Sequence, residues 1–319
     1  MKRTVIILGI VSIAVWVCAQ TSGQNTQQGQ PAGQTAPAQG AAAPAPATKR
    51  PPQLKTKQEQ DAYNAAAANT DPAALEKAAD DFAAKFPDSE VRILLYKNAM
   101  RKYQAANDAE KTEAMGRKVL GIDADDPEAL STVAEVIAER TRDSDLDRDQ
   151  RFDEAVKMAQ KATQTVDTDV SVPAGTPQDR IDAYKAYLRS NAYSIIGTIE
   201  YKKSNYAAAQ ADLQKSIDAF PSNPDPVVVL RLALTIDKEA TAQQDPAAQH
   251  AKYVEALKVA ERAVELTQEN TPIGTPARQE RDRLRRLTEN ASPAQPQGQP
   301  PQTQQPQTQP QPQSQPPQN

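Results

Sequence analysis

Residues 190–223 decide the fold, and they read SNAYSIIGTIEYKKSNYAAAQADLQKSIDAFPSN. Apolar and small residues recur at helical spacing on both sides of the polar turn Lys203-Ser204-Asn205. These residues are Tyr193, Ile196 and Ile199 in the first half, and Tyr206, Ala209, Leu213, Ser216 and Ile217 in the second. Pro221 closes the unit. The stretch therefore predicts two amphipathic helices joined by a tight turn.

The same stretch resembles a tetratricopeptide repeat (TPR), a helix–turn–helix module of roughly 34 residues. The positions that match the family pattern are Tyr193, Ile196, Gly197, Tyr206, Ala209 and Pro221. Leu213 and Ser216 depart from it, since the family more usually has an aromatic residue and Ala there. Small residues such as Gly197 and Ala209 let the two helices of a hairpin approach closely. The resemblance implies an all-α solenoid of stacked hairpins.

Two other segments carry the second-helix pattern of an aromatic residue followed by three alanines. They are Phe152, Ala155, Ala159 and Ala162, and at the same spacing Tyr253, Ala256, Ala260 and Ala263. The first and second repeats, from Lys57 and from Glu90, match the family in length and spacing more than in residues. We expect residues 55–290 to form an all-α, TPR-type solenoid of about five helical hairpins. The Arg-rich segment from Ala277 to about Thr288 is its predicted C-terminal cap helix.

The N-terminus has the pattern of a secretion signal. A short basic start, Lys2-Arg3, precedes an apolar run from Val5 to Val17, and cleavage is expected before Gln20. Residues 1–19 are therefore predicted to be a cleavable signal peptide, although the segment could stay as an anchor, or Cys18 could accept a lipid. Cys18 is the only cysteine, so the exported chain is predicted to contain no disulfide.

Low-complexity sequence flanks the predicted helices. Residues 20–54 are rich in Gln, Ala and Pro, and residues 291–319 alternate Pro and Gln almost without charge. Such segments bury too little apolar surface to offset the entropy of ordering, so both are predicted to be disordered. The tail is expected to be a spacer or an attachment to the cell wall or to a proline-reading partner.

Charge and composition exclude several classes of function. The formal net charge is −4, and the pI is near 5.3. Because the sequence has no basic stripe, no nucleic-acid partner is expected. After signal cleavage, no stable membrane insertion is expected. The predicted location is therefore the periplasm or the exterior of a bacterial cell, with a lipid anchor as the alternative.

Residues suited to catalysis are scarce. His250 is the only histidine, and the sequence places it in a solvated loop after the linker Gln244–Gln249. Neither a Gly-rich phosphate loop nor a cluster of His and Cys is present. We expect a non-enzymatic protein without a cofactor.

One acidic stretch resembles a calcium-binding helix–loop–helix loop, with oxygen ligands at alternate positions. Its candidate ligands are Asp143, Asp145, Asp147, Asp149 and Glu154. Arg148 replaces the glycine of the sharp turn, and Glu154 already lies in a predicted helix. The alternative interpretation is an Asp-rich insertion near a helix N-terminus, where the helix dipole favours acids.

The TPR resemblance also implies a binding groove, because in that family the first helix of each hairpin lines a concave surface that receives a partner peptide. The corresponding positions are Lys97, Arg101, Ser131, Glu135, Ser194, Thr198, Lys202, Val228 and Leu232. The predicted function is a protein–protein interaction scaffold of the bacterial envelope that binds its partner there. The alternative is a structural spacer or cell-wall-associated protein that acts through its Pro/Gln tail.

Overall fold

The computed structural model describes residues 48–290, and within this range the chain contains helices and no strand beyond one isolated bridge. The predicted all-α fold class is confirmed. The predicted signal peptide, the linker up to residue 47 and the tail 291–319 lie outside the described residues.

Eleven helices follow one another between residues 48 and 290. They are α1 (Lys57–Ala67), α2 (Pro72–Lys85), α3 (Arg92–Ala105), α4 (Ala109–Ile122), α5 (Pro127–Arg140), α6 (Arg148–Thr165), α7 (Gln178–Lys202), α8 (Tyr206–Ala219), α9 (Pro226–Ala242), α10 (Pro246–Glu265) and α11 (Gly274–Asn290). None of them combines the length and the apolar character needed to cross a membrane. The longest helix, α7, follows the longest connection, residues 166–177.

Four of the helices begin at an Asp-Pro pair, namely α2, α5, α9 and α10. The Asp carboxylate accepts a hydrogen bond from a backbone N–H of the first turn, as Asp71 does from Ala74. Pro at the first helical position has its φ already set for a helix and lacks an N–H that would need a partner. The sequence therefore fixes these four helix starts locally. The helix start predicted at Asp71-Pro72 is confirmed.

Two of the connections use the same left-handed turn. Asn107 between α3 and α4 and Ser204 between α7 and α8 have φ of 58° and 62°. In each, the next N–H closes the turn on a carbonyl near the end of the preceding helix: Asp108 on Tyr103 at 3.0 Å, and Asn205 on Glu200 at 2.9 Å. This arrangement satisfies terminal carbonyls and reverses the chain within a few residues.

Packing follows chain order. Each helix packs against the next, and the other extensive contacts within residues 48–290 join helices two apart: α1 with α3, α5 with α7, and α7 with α9. The hydrophobic core is correspondingly divided into successive clusters, the largest spanning residues 63–129, 130–199 and 213–284. Each helix is therefore stabilised mainly by the helices that precede and follow it in the chain.

Small residues set the distance between paired helices. The alanine stripes predicted in α6 and α10 are almost fully buried, with at most 1% exposure of Ala155, Ala159, Ala162, Ala256, Ala260 and Ala263. In α7, a Cβ added to Gly197 would lie 2.7 Å from Cγ of Leu213 in α8. These positions allow no larger side chain without movement of a neighbour.

Residues 48–54, here called the N-terminal strap, contact the helices although the sequence assigns them to a disordered linker. Lys49 donates its backbone N–H to the carbonyl of Val170 at 3.2 Å. Its ammonium lies 2.7 Å from Asp123 and 3.3 Å from Asp169. Arg50 binds Glu90 at 2.9 Å. Leu54 packs against the first hydrophobic cluster, so ion pairs and apolar contact together hold the strap against the helices.

Candidate functional site

The nine predicted groove residues lie on α3, α5, α7 and α9, but the structure places them at different depths. Five are buried, with at most 8% exposure: Lys97, Ser131, Ser194, Val228 and Leu232. The others are half-buried or exposed: Arg101, Glu135, Thr198 and Lys202. Only this second set presents side chains that a partner can reach without a rearrangement.

Buried Lys97 belongs to an ion cluster that joins α3 to the start of α5. Its ammonium lies 2.7 Å from a carboxylate oxygen of Asp126 and 2.9 Å from one of Glu128. Arg101 donates to both oxygens of Glu128, at 2.5 Å and 2.7 Å. Glu128 therefore has two cationic partners in a site where its side chain is only 12% exposed. We call Lys97, Arg101, Asp126 and Glu128 the ion cluster.

The ion cluster favours the charged forms of Lys97 and Glu128. Burial alone would lower the pKa of Lys97, but the negative charges of Glu128 and Asp126 outweigh it and hold the pKa above its usual 10.5. Burial also acts to raise the pKa of Glu128, yet Arg101 and Lys97 hold it well below its usual 4.5. Neither group is poised for proton transfer near neutral pH. The cluster is thus a structural ion-pair network.

The first part of α7, residues 178–189 and here called the α7 extension, lies beside the buried part of this cluster. Tyr184 places its buried hydroxyl beside it, and burial followed by the charge of Glu128 raises the pKa of that hydroxyl. Lys185 donates to the carbonyl of Asp167, and Arg189 to its carboxylate, each at 2.7 Å. Leu188 packs in a small apolar cluster beside residues 166–172. The extension is firmly held, and it leaves Lys97 buried, whereas Arg101 of the same cluster stays exposed.

A second group of polar residues crosses α5, α7 and α9 and stays accessible. Arg231 on α9 donates to the hydroxyl of Thr198 on α7 at 2.8 Å. Lys202 donates to the carbonyls of Ala138 and Thr141 at the end of α5. Burial and then the nearby charge of Arg231 lower the pKa of Lys202. We call Glu135, Thr198, Lys202 and Arg231, all half-buried, the polar row.

Arg231 is the member of this row that the sequence analysis missed. The prediction placed Val228 and Leu232 on the accessible face of α9, but both are buried in the core, at 1% and 2% exposure. Helix α9 is apolar on most of its circumference, so hydrophobic spacing does not define one buried side. A signal was available, because Arg231 is the one charged residue among the first eleven residues of α9.

The acidic loop weighed for calcium does not gather its carboxylates. Arg148 binds Asp143 and Asp149, each at 3.2 Å, and Arg117 binds Glu154 at 2.9 Å. Asp145 accepts the backbone N–H of Arg142 at 2.8 Å. Nowhere in residues 48–290 do three His, Cys, Asp or Glu side chains lie close enough together to hold a metal ion. Arg148, which stands where a calcium loop has glycine, binds two of the acids that a cation would need.

His250 lies on a helix instead of the loop that the sequence predicts. It is in the second turn of α10, half-buried, and its Nδ1 is buried without a hydrogen bond within the described range. Asp245 caps this helix and starts it earlier than the polar linker suggests. No nucleophile is paired with His250 in residues 48–290.

Comparison with known proteins gives no family assignment for this chain. No family model matches the chain, and no curated protein is significantly similar to it.

Proposed function

We propose that this protein is a non-enzymatic protein-interaction scaffold of the bacterial cell envelope. Its helices form a TPR-type solenoid of about five hairpins, α1–α2 to α9–α10, with α11 as the C-terminal cap. Packing in chain order, the repeated left-handed turn and the buried alanine stripes support this architecture. The N-terminal sequence pattern supports export to the periplasm or the exterior.

The observation that carries the proposal is the polar row. It spans three first helices, and the Thr198–Arg231 hydrogen bond links two of them across the surface. Its members carry charges of both signs and one hydroxyl group, that of Thr198, an arrangement suited to hydrogen bonding with a peptide. The partner therefore binds across α5, α7 and α9, beyond the ion cluster.

Site-specific photo-crosslinking tests this proposal. A photoreactive residue replaces Glu135 in the polar row, or the exposed Lys258 on the second helix α10 as the matched control. Crosslinking in envelope extract should give a discrete adduct at residue 135 that Arg231→Ala weakens, and no such adduct at residue 258. Equal products at both positions would contradict a partner site on the row. A partner lost only when residues 291–319 are removed would favour the tail as the working part.

A further inference from the structure

Two half-buried tyrosines meet where α7 turns into α8, beside the polar row. The rings of Tyr201, at the end of α7, and Tyr206, at the start of α8, pack edge to face with their centroids 5.7 Å apart. The two other ring pairs in residues 48–290 share the buried Phe82. Tyr201 and Tyr206, here called the tyrosine pair, are therefore the aromatic pair of the described chain that a ligand can reach without opening the core.

The hydroxyl of Tyr201 is available to a ligand. It forms no hydrogen bond with another group in residues 48–290, whereas the hydroxyl of Tyr206 lies 3.4 Å from that of Ser204. Burial, followed by the neighbouring Tyr206, raises the pKa of Tyr201, so its hydroxyl keeps its proton at neutral pH. The tyrosine pair thus combines apolar ring surface with a hydrogen-bond donor.

The charged groups around the tyrosine pair balance one another. Arg231 on α9 and Glu280 on α11 both lie close enough to act on the Tyr201 hydroxyl, in opposite directions. Arg283 on α11 binds Glu280 at 2.9 Å and also pairs with Asp237 on α9. The surroundings therefore favour neither an acidic nor a basic ligand, and an uncharged segment suits the site better.

The chain itself carries such a segment next to the site. Residues 291–319 consist mainly of Pro and Gln and contain no charged residue. Helix α11 ends at Asn290, about 10 Å along its axis beyond Arg283. Pro-rich sequence favours the polyproline conformation, which leaves the backbone carbonyls without internal partners and rises about 3.1 Å per residue. At that rise the segment spans about 90 Å, which is ample to reach the tyrosine pair.

We propose that residues 291–319 dock on the tyrosine pair of the same chain in an extended, polyproline-type conformation. Proline rings pack against the two aromatic rings, and the Tyr201 hydroxyl donates to a backbone carbonyl of the segment. Because the segment is covalently attached, its effective concentration at the site is high and a weak contact suffices. The docked segment lies at the edge of the polar row, since Tyr201 is beside Lys202 and one helical turn from Thr198, and it competes with a partner there. Only this competition rests on the proposed function.

Photo-crosslinking within the purified full chain tests the docking. A photoreactive residue replaces the exposed Asn205, which lies between the two tyrosines, or as control the exposed Lys258 on α10, the helix packed against α11. Trypsin releases the segment within one peptide, residues 287–319, because Arg286 is the last Lys or Arg of the chain. Mass spectrometry should find this peptide linked to residue 205 and little or none of it linked to residue 258.

Variants of the tyrosine pair test whether the rings hold the segment. Tyr201→Ala/Tyr206→Ala should lower the yield of the link at residue 205 at least about fivefold, because both rings are removed. The control Tyr187→Ala removes a tyrosine that is 50% exposed on the α7 extension and should leave the yield unchanged. Circular dichroism checks folding. If the double variant does not fold, Tyr201→Phe removes the hydroxyl alone and should lower the yield about twofold or more.

The inference would be overturned by no link at residue 205, by equal links at residues 205 and 258, or by a yield that loss of the tyrosine pair does not change. A mixture of isotope-labelled and unlabelled chains should give links within single copies. Links between labelled and unlabelled copies would show docking on a second molecule and overturn the intramolecular arrangement. The proposed function fails separately: if the segment links to residue 205 but residue 135 gives no partner adduct, the docking stands and only the competition is lost with that function.

Discussion

The residues of the predicted groove fall into two regions that differ in exposure. Between α3 and α5, buried Lys97 and half-buried Glu128 form an ion pair beside the α7 extension. Between α7 and α9, Thr198 and Arg231 hydrogen-bond at a half-buried surface. The difference arises from one helix, because the first half of the 25-residue α7 places Tyr184 beside the ion cluster. The comparison teaches that a first-helix position indicates a binding surface only where the rest of the chain leaves it uncovered.

The largest expected effect comes from breaking the ion cluster. Glu128→Ala leaves Lys97 buried with one of its two carboxylates and should lower the free energy of unfolding by about 3–5 kcal/mol. Thr198→Val in the polar row removes a single hydrogen bond and should cost only about 0.5–1.5 kcal/mol. Urea unfolding followed by circular dichroism measures both. Similar losses would mean that the two regions do not differ in energetic importance. If Glu128→Ala does not fold, Glu128→Gln serves in its place.

Acid should weaken the ion cluster in particular. Because the pKa of Glu128 in the folded state is held below 4.5, its contribution is fully present above pH 4.5 and is lost as pH falls through the lower folded value. We expect unfolding free energy to fall below pH 4.5, and to fall less steeply in Glu128→Gln. Urea titrations at successive pH values give the slope. Glu110→Gln, at an exposed position, is the control and should keep the wild-type slope.

Two glycine-to-alanine substitutions, at Gly197 and at Gly121, test how closely α7 packs on α8 beneath the polar row. Gly197→Ala places a Cβ 2.7 Å from Leu213 and should destabilise by about 1–3 kcal/mol. Gly121→Ala in α4 meets no atom within 4 Å and should stabilise by about 0.5–1 kcal/mol through helix propensity. Thermal and urea unfolding measure both changes. A neutral Gly197→Ala would show that Leu213 moves away at little cost.

The smallest effect is expected at the N-terminal strap. Lys49 bridges Asp123 after α4 and Asp169 before the α7 extension, but its side chain is 39% exposed. Lys49→Met should therefore cost about 1 kcal/mol or less. Hydrogen exchange should rise in residues 166–177 without a change around Thr198. Faster exchange at both places would show that the strap supports the whole molecule and not residues 166–177 alone.

The helices were predictable because their signals are local. Asp71-Pro72 caps and starts α2 within a few residues, and the alanine stripes of α6 and α10 mark the faces that pack. Prediction failed where the local sequence pattern fitted two different structures. Helix α9 is apolar on most of its circumference, so the prediction of its accessible face was wrong. Val228 and Leu232 are buried, and the accessible Arg231 was missed. His250 was assigned to a loop because the polar residues before it resemble a linker.

The sequence by itself determined the all-α class, most helix starts and the small residues at the closest helix contacts, since each depends on residues near one another in the chain. Only the tertiary structure decided which first-helix residues reach the surface. The positions of Tyr184 beside Lys97 and of Lys49 between Asp123 and Asp169 both depend on how successive helices pack. Ion pairs between residues far apart in the chain leave no period in the sequence, because their partners are chosen by the packing of the helices between them.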